Sequence, residues 1–312
     1  VTQGLRGDSR DLRESQTFWK LMIVGCALMW GLSFTVMKGM TDLVSPMWVI
    51  VFRFVPATAC MVVPLWRRMA DPANRQALVV GAKLGVQLWV AYALQVWGLS
   101  ISTASKGSFL CGIYAVIIPF VAWAFGAGRP RYRSLTAAAL CLVGLGLVSL
   151  NDDLSVSPGD IACVGCSFFV ALETYLLPTW GGEHDTSVLS ASIFSVVGLL
   201  SLAWALVADP LPGPEAFSPS ALATWVYLSI GCTLFAIGAM NEAFMHVDPV
   251  PGALLSSLES PLGTAAAITF GGEVLSGRLL VGFALIGCAV VVSEAGDLLL
   301  ALARRLAGRA SA

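Results

Sequence analysis

Apolar runs of membrane-crossing length follow one another through this chain almost without pause. Ten of them lie near 19–39, 46–66, 77–99, 103–127, 134–150, 159–179, 186–208, 219–243, 250–271 and 276–301, the fifth being short. A helix needs about 20 residues to cross a hydrocarbon core of roughly 30 Å. Backbone in lipid must satisfy its own polar groups, which leaves helices or closed barrels. Runs this long and uniform, rich in Ala, Leu, Gly and Met, read as helices rather than strands. Apolar residues make up 57% and charged residues 12% of the 312 positions, against roughly 45–50% and about 25% in soluble domains. The expected fold class is all-α integral membrane, with ten transmembrane helices.

The runs also repeat. The order of features from Gly98 to Leu150 returns from Ala243 to Ser293: a polar turn, an apolar run holding a proline, a charged Gly-containing loop, and a Gly-studded run. Displaced by 145 positions, Lys106-Gly107-Ser108-Phe109-Leu110 falls on Pro251-Gly252-Ala253-Leu254-Leu255. A duplication with five helices per copy forces the second copy into the membrane in the opposite sense. The expectation is therefore two inverted five-helix repeats, a recurrent plan of secondary transporters. They would occupy 19–150 and 159–301, with tails at 1–18 and 302–312 and a linker at 151–158.

Orientation follows the cations. With the amino terminus inside, fourteen of the eighteen Lys and Arg residues fall on cytoplasmic segments and only Lys38, Lys106 and Arg278 outside, leaving Arg53 within the second helix. Both tails are then cytoplasmic and the acidic linker periplasmic. Residues 1–18 lack the pattern of a cleaved signal peptide. Fourteen Arg against four Lys, with heavy Ala and Gly use, suit a GC-rich bacterium and hence its inner membrane.

Several chemistries lack raw material. A net charge of −1 offers no basic surface, so no nucleic-acid partner is expected. All eight cysteines sit in apolar runs and read as buried free thiols, including the pair Cys163 and Cys166. The two histidines, His184 and His246, fall in expected loops, and no metal or cofactor motif accompanies them. Neither an enzyme nor a scaffold with a soluble binding domain fits this composition as well as a transporter does.

The segments ALMWGLSFTVMK (27–38), FRF (52–54), ASKGSFLCGIYAVIIPFVAW (104–123) and PGALLSSLESPLGTAAAITFGGEVLSG (251–277) resemble the EamA-type repeats of the drug/metabolite transporter superfamily. In that family the second repeat carries Leu-Glu-Pro near the start of its fourth helix and Gly-Glu after it. Here they stand as Leu258-Glu259-Ser260-Pro261, with an extra Ser, and Gly272-Glu273. The resemblance implies a secondary transporter of small organic metabolites, working by alternating access with no cofactor. Within the family the chain is most similar to bacterial exporters of amino acids, including aromatic ones. Quaternary amines or drugs are the alternative solutes.

Charges in hydrocarbon are costly, about 2.5–3.5 kcal/mol at a helix centre on insertion scales, so they should face a partner or a water-filled cavity. Arg53, Glu173, Glu242 and Glu259 qualify. Glu259, nine residues into the ninth run, is the expected functional carboxylate, with a structural pairing to Arg53 as the alternative. Glu173 and Glu242 should lie nearer the cytoplasmic side, as gating or coupling groups. Arg53, between two phenylalanines, reads as structural. Trp30, Ser33, Phe34 and Met37 share one helical face, and Trp89, Tyr92, Gln95 and Leu99 another. Adding Tyr114, Tyr175 and Asn241 gives an expected cavity of Trp30, Phe34, Tyr92, Gln95, Tyr114, Tyr175, Asn241 and Glu259, apolar-walled with few polar groups. Pro56, Pro119 and Pro261 predict kinks. Gly81 with Gly85, Gly144 with Gly146, and Gly282 with Gly287 predict close helix packing, within one chain or between two.

Overall fold

The computed structural model describes residues 16–149, 156–244, 246–247, 252 and 255–310, the side chains of 149, 241, 244 and 294–310 excepted. Regular structure among the described residues is helical throughout. In chain order the helices are α1 (Gln16–Met40), α2 (Pro46–Met69), α3 (Arg75–Ile101), α4 (Ala104–Gly112), α5 (Tyr114–Ala124), α6 (Tyr132–Ser149), α7 (Pro158–Gly181) and α8 (Thr186–Ala208). They continue with α9 (Pro219–Val226), α10 (Ala236–Phe244), α11 (Glu259–Thr269) and α12 (Gly277–Ala310). A π-helical stretch, Tyr227–Phe235, joins α9 to α10. Asn241 lies within α10, but its side chain is outside the described residues, as are the structures of residues 1–15 and 150–155.

Among the described residues seven segments are long and apolar enough to cross a membrane, one of them Ala104–Ala124, which combines α4 and α5. Tyr132–Val148 and Gly277–Ser293 are shorter apolar stretches. The run expected over 250–271 yields the 11-residue α11 after a break. The tenth run continues as helix to Ala310 instead of giving way to a tail after 301.

Helix starts follow local chemistry. Pro46, Pro158 and Pro219 occupy first-turn positions, where the missing N–H costs nothing. Thr103, Ser157 and Asp185 cap the helices that follow them. Pro56 and Pro119 stand inside helices, as do Pro64 and Pro178. Pro119 cannot bond the carbonyl of Ala115, and Ser293 Oγ of α12 donates to that carbonyl at 3.2 Å instead. Pro261 produces no kink within α11. It sits in the first turn, and the break lies upstream at Ser257–Leu258.

Without a solvent-driven hydrophobic force, helices in lipid associate through close packing, favoured by small residues. The main pairings are α3 with α7, α6 with α12, α3 and α2 with α8, α1 with α11, and α4 with α11. Gly144 and Gly282 face one another: a Cβ on either would come within about 3 Å of the other's carbonyl oxygen. Gly81 and Gly85 pack on Ser192 and Ile193 of α8. Gly287 packs on nothing within 4 Å. The eight cysteines are free, but Cys60 and Cys288 are exposed rather than buried. Large apolar side chains such as Leu21, Val63, Leu142 and Leu199 are exposed too, as a lipid-facing surface requires.

Candidate functional site

Two helix breaks define the centre of the molecule. Between α4 and α5 the chain turns at Ile113 (φ −69°, ψ −5°), and before α11 it turns at Leu258 (φ −61°, ψ −16°). The residues after these turns, Tyr114 and Glu259, open their half-helices, and both line a cavity of about 870 Å³. Near the breaks α4 crosses α11 with reciprocal hydrogen bonds: Ser108 Oγ donates to the Ser260 carbonyl at 3.3 Å, and Ser260 Oγ to the Ser108 carbonyl at 3.0 Å.

Of the expected lining residues, Trp30, Phe34, Tyr92, Gln95, Tyr114 and Glu259 border this cavity. Glu173 and Arg53 border it as well. Tyr175 does not: its ring lies 5.4 Å from that of Phe125 on the outer side of α5. Glu242 is exposed, away from the cavity, with a carboxylate oxygen 3.5 Å from His246 Nε2. The imidazole of His246 stacks on Trp19 at 4.4 Å. The face expected on α3 divides, because α3 is packed on several sides: Tyr92 and Gln95 turn inward, Leu99 is buried in the core, and Trp89 meets Trp204 at an outer groove.

Arg53 is held in place on the wall. Its Nε donates to Thr233 Oγ1 at 2.9 Å, Nη1 lies 3.3 Å from Met37 Sδ, and its guanidinium sits 4.8 Å from the centre of the Tyr92 ring. The π-helical stretch makes this possible. Thr233 Oγ1 bonds the Leu228 carbonyl five residues back, and the Cys232 carbonyl accepts Trp30 Nε1 at 2.8 Å, fixing the indole on the cavity wall. Among the described residues no ion pair joins Arg53 to Glu259 or Glu173. Glu259 opens α11 rather than lying deep within a longer helix, so its carboxylate stands at a turn on the cavity edge.

At one end of the bundle polar contacts join the chain's two halves. Glu273 accepts Ala104 N–H at 2.7 Å and Ser105 N–H at 3.3 Å, and takes a further bond from Ser105 Oγ. A carboxylate on the first N–H groups of α4 satisfies orphan donors and complements the helix dipole. Gly272, at φ +67°, makes the turn that delivers Glu273. Beside it Asp160, fully buried, takes Lys106 Nζ at 3.0 Å and Ser102 Oγ at 2.6 Å. The sequence marked Gly272-Glu273 as a landmark; its contact with α4 depends on tertiary placement and left no local signal.

Fold and cavity together describe a helical membrane protein with an internal chamber of solute size. Residues 17–150 match the EamA-like transporter family. An uncharacterized transporter of Archaeoglobus fulgidus is 26% identical over 253 residues, which covers 78% of this chain and 86% of that protein. A second uncharacterized transporter from the same organism is 25% identical over 164 residues, 53% of this chain and 50% of its own. A solved crystal structure has the same fold, with a TM-score of 0.59 at 19% identity over 89% of this chain and 98% of that one. These likenesses support a membrane transporter of small solutes.

Proposed function

We propose that the chain is a secondary transporter of small organic metabolites, amino acids including aromatic ones, working by alternating access between two inverted five-helix repeats. The observation that carries this reading is the cavity of about 870 Å³ at two matched helix breaks. Extending the 145-residue register places Ile113 on Leu258, the two turn residues, and Tyr114 on Glu259. Discontinuous helices around a central chamber are where such transporters hold solute.

The packing supports the inversion. Count ten membrane segments, with α4–α5 as the fourth, α9–α10 as the eighth and α11 in the ninth. Exchanging each segment of the first five with its counterpart then turns one observed pairing into another. Third with sixth becomes eighth with first, third with seventh becomes eighth with second, and fourth with sixth becomes ninth with first. Fifth with tenth, second with seventh and fourth with ninth map onto themselves. The cation distribution favours cytoplasmic termini in a bacterial inner membrane, with the Glu273 contact then facing the periplasm.

Chamber size and aromatic walls of Trp30, Phe34, Tyr92 and Tyr114 suit a solute carrying a ring. Purified protein in liposomes is expected to move labelled aromatic amino acids down their gradient. Gly287→Trp, which fills the chamber at a glycine with open space beside its Cα, should cut that flux at least tenfold without lowering the melting temperature. Absence of flux across aromatic, aliphatic and charged amino acids and quaternary amines, in folded protein, would defeat the proposal.

A further inference from the structure

The cavity carries more acid than base. Glu173 of α7 and Glu259 of α11 both border it, and Arg53 is the cation on its wall. Among the described residues neither carboxylate accepts a hydrogen bond or has an ion-pair partner within 4 Å. Arg53 is already committed to Thr233, Met37 and the Tyr92 ring. A carboxylate in an apolar chamber without a partner is costly, and a proton or a mobile cation relieves that cost.

We propose that Glu173 and Glu259 form an amine-binding pole, and that the preferred solute is a monocationic amine with an aromatic or apolar body. With both carboxylates ionised, one pinned guanidinium leaves one negative charge on the chamber wall. A monocation cancels it, whereas a zwitterion brings no net charge and adds a carboxylate to an acidic site. Tyr92 and Trp30 supply ring faces that attract an ammonium group as well as a ring. The inference rests on the transporter reading for its solute-binding chamber, and it ranks solutes within that reading.

Three ligands with the same phenylpropyl or phenylethyl body separate the poles: phenylethylamine, phenylalanine and 3-phenylpropionate. Isothermal titration of the full chain in detergent at neutral pH should show the amine binding at least tenfold more tightly than the amino acid, with no binding of the acid. Glu173→Gln should weaken the amine at least tenfold while leaving the melting temperature within a few degrees. Equal or tighter binding of 3-phenylpropionate, binding of none of the three, or a Glu173→Gln protein that keeps the amine within twofold would each overturn the proposal. If that variant does not fold, the ligand series on the unmodified chain decides alone. Binding is read without flux, so the two readings fail separately. Amine binding with no transport of any solute counts against the transporter, and transport of amino acids with indifference to the amine counts against the acidic pole.

Discussion

Gly31→Val is expected to abolish the folded protein, with aggregation in detergent and no cooperative melt, while Gly25→Val in the same helix melts as the unmodified chain does. A Cβ on Gly31 would stand 2.8 Å from the Glu259 carbonyl oxygen and 2.8 Å from the Gly263 nitrogen, both backbone atoms. Nothing lies within 4 Å of a Cβ on Gly25. Gly263 is equally constrained, its own Cβ position being 2.7 Å from Ser108 Cβ. Three helices, α1, α4 and α11, therefore meet at a point where no side chain fits, next to the turn that presents Glu259. Overpacking costs about 1–3 kcal/mol where side chains can move aside; here helix backbones would have to separate. Ordinary melting of Gly31→Val would mean that α1 and α11 are not in contact.

Arg53→Met should lower the melting temperature by roughly 5–8 °C and reduce solute flux more than tenfold. The substitution removes a charge-assisted bond to Thr233, worth about 1.5–3 kcal/mol, and a desolvated cation–π contact with Tyr92, worth about 2 kcal/mol. Together these are about 3.5–5 kcal/mol, which in a chain of this size, at about 2.1 cal/mol/K per residue, corresponds to roughly 5–8 °C. The flux falls for a further reason: Tyr92 loses the group that fixes it on the cavity wall, and the chamber loses the cation on its wall. Arg53→Lys keeps the charge but not the planar fork or the stacking, so it should recover less than half of the stability. A thermal melt and a liposome flux assay on the same preparations check both halves. Arg53→Met with undiminished flux would make Arg53 a packing residue only.

The sequence states plainly where helices lie, because apolar length and proline or serine at the starts are local signals: Ser45-Pro46, Ser157-Pro158 and Ser218-Pro219 each mark a boundary. It is less plain about where they break. Ile113 stands in an apolar run, so its turn leaves the hydropathy uninterrupted, whereas Leu258 stands in the polar cluster Ser256-Ser257-Leu258-Glu259-Ser260, and Pro261 marks a point a few residues past the true break. The π-helical stretch YLSIGCTLF reads as any other apolar segment, yet it aligns Thr233 with Arg53 and Cys232 with Trp30. Charge in the middle of an apolar run picked out Arg53, Glu173 and Glu259, which border the cavity, and also Glu242, which is exposed near the end of α10, where a charge can reach out of the bundle. Aromatic content was weaker guidance. Tyr175 and Trp89 share their helices with cavity residues but turn toward Phe125 and Trp204, since a helix packed on several sides offers more than one apolar face.

The central claim is that the chamber is reached from alternate sides, and the contact to interrogate is Glu273 on the start of α4. In a chain whose native cysteines have been replaced, Ala104→Cys and Glu273→Cys joined by a reducible bifunctional thiol reagent should hold that end shut. The account predicts that liposome flux stops on complete cross-linking and returns when the bridge is reduced. Flux that continues unchanged through the fully cross-linked protein would contradict it.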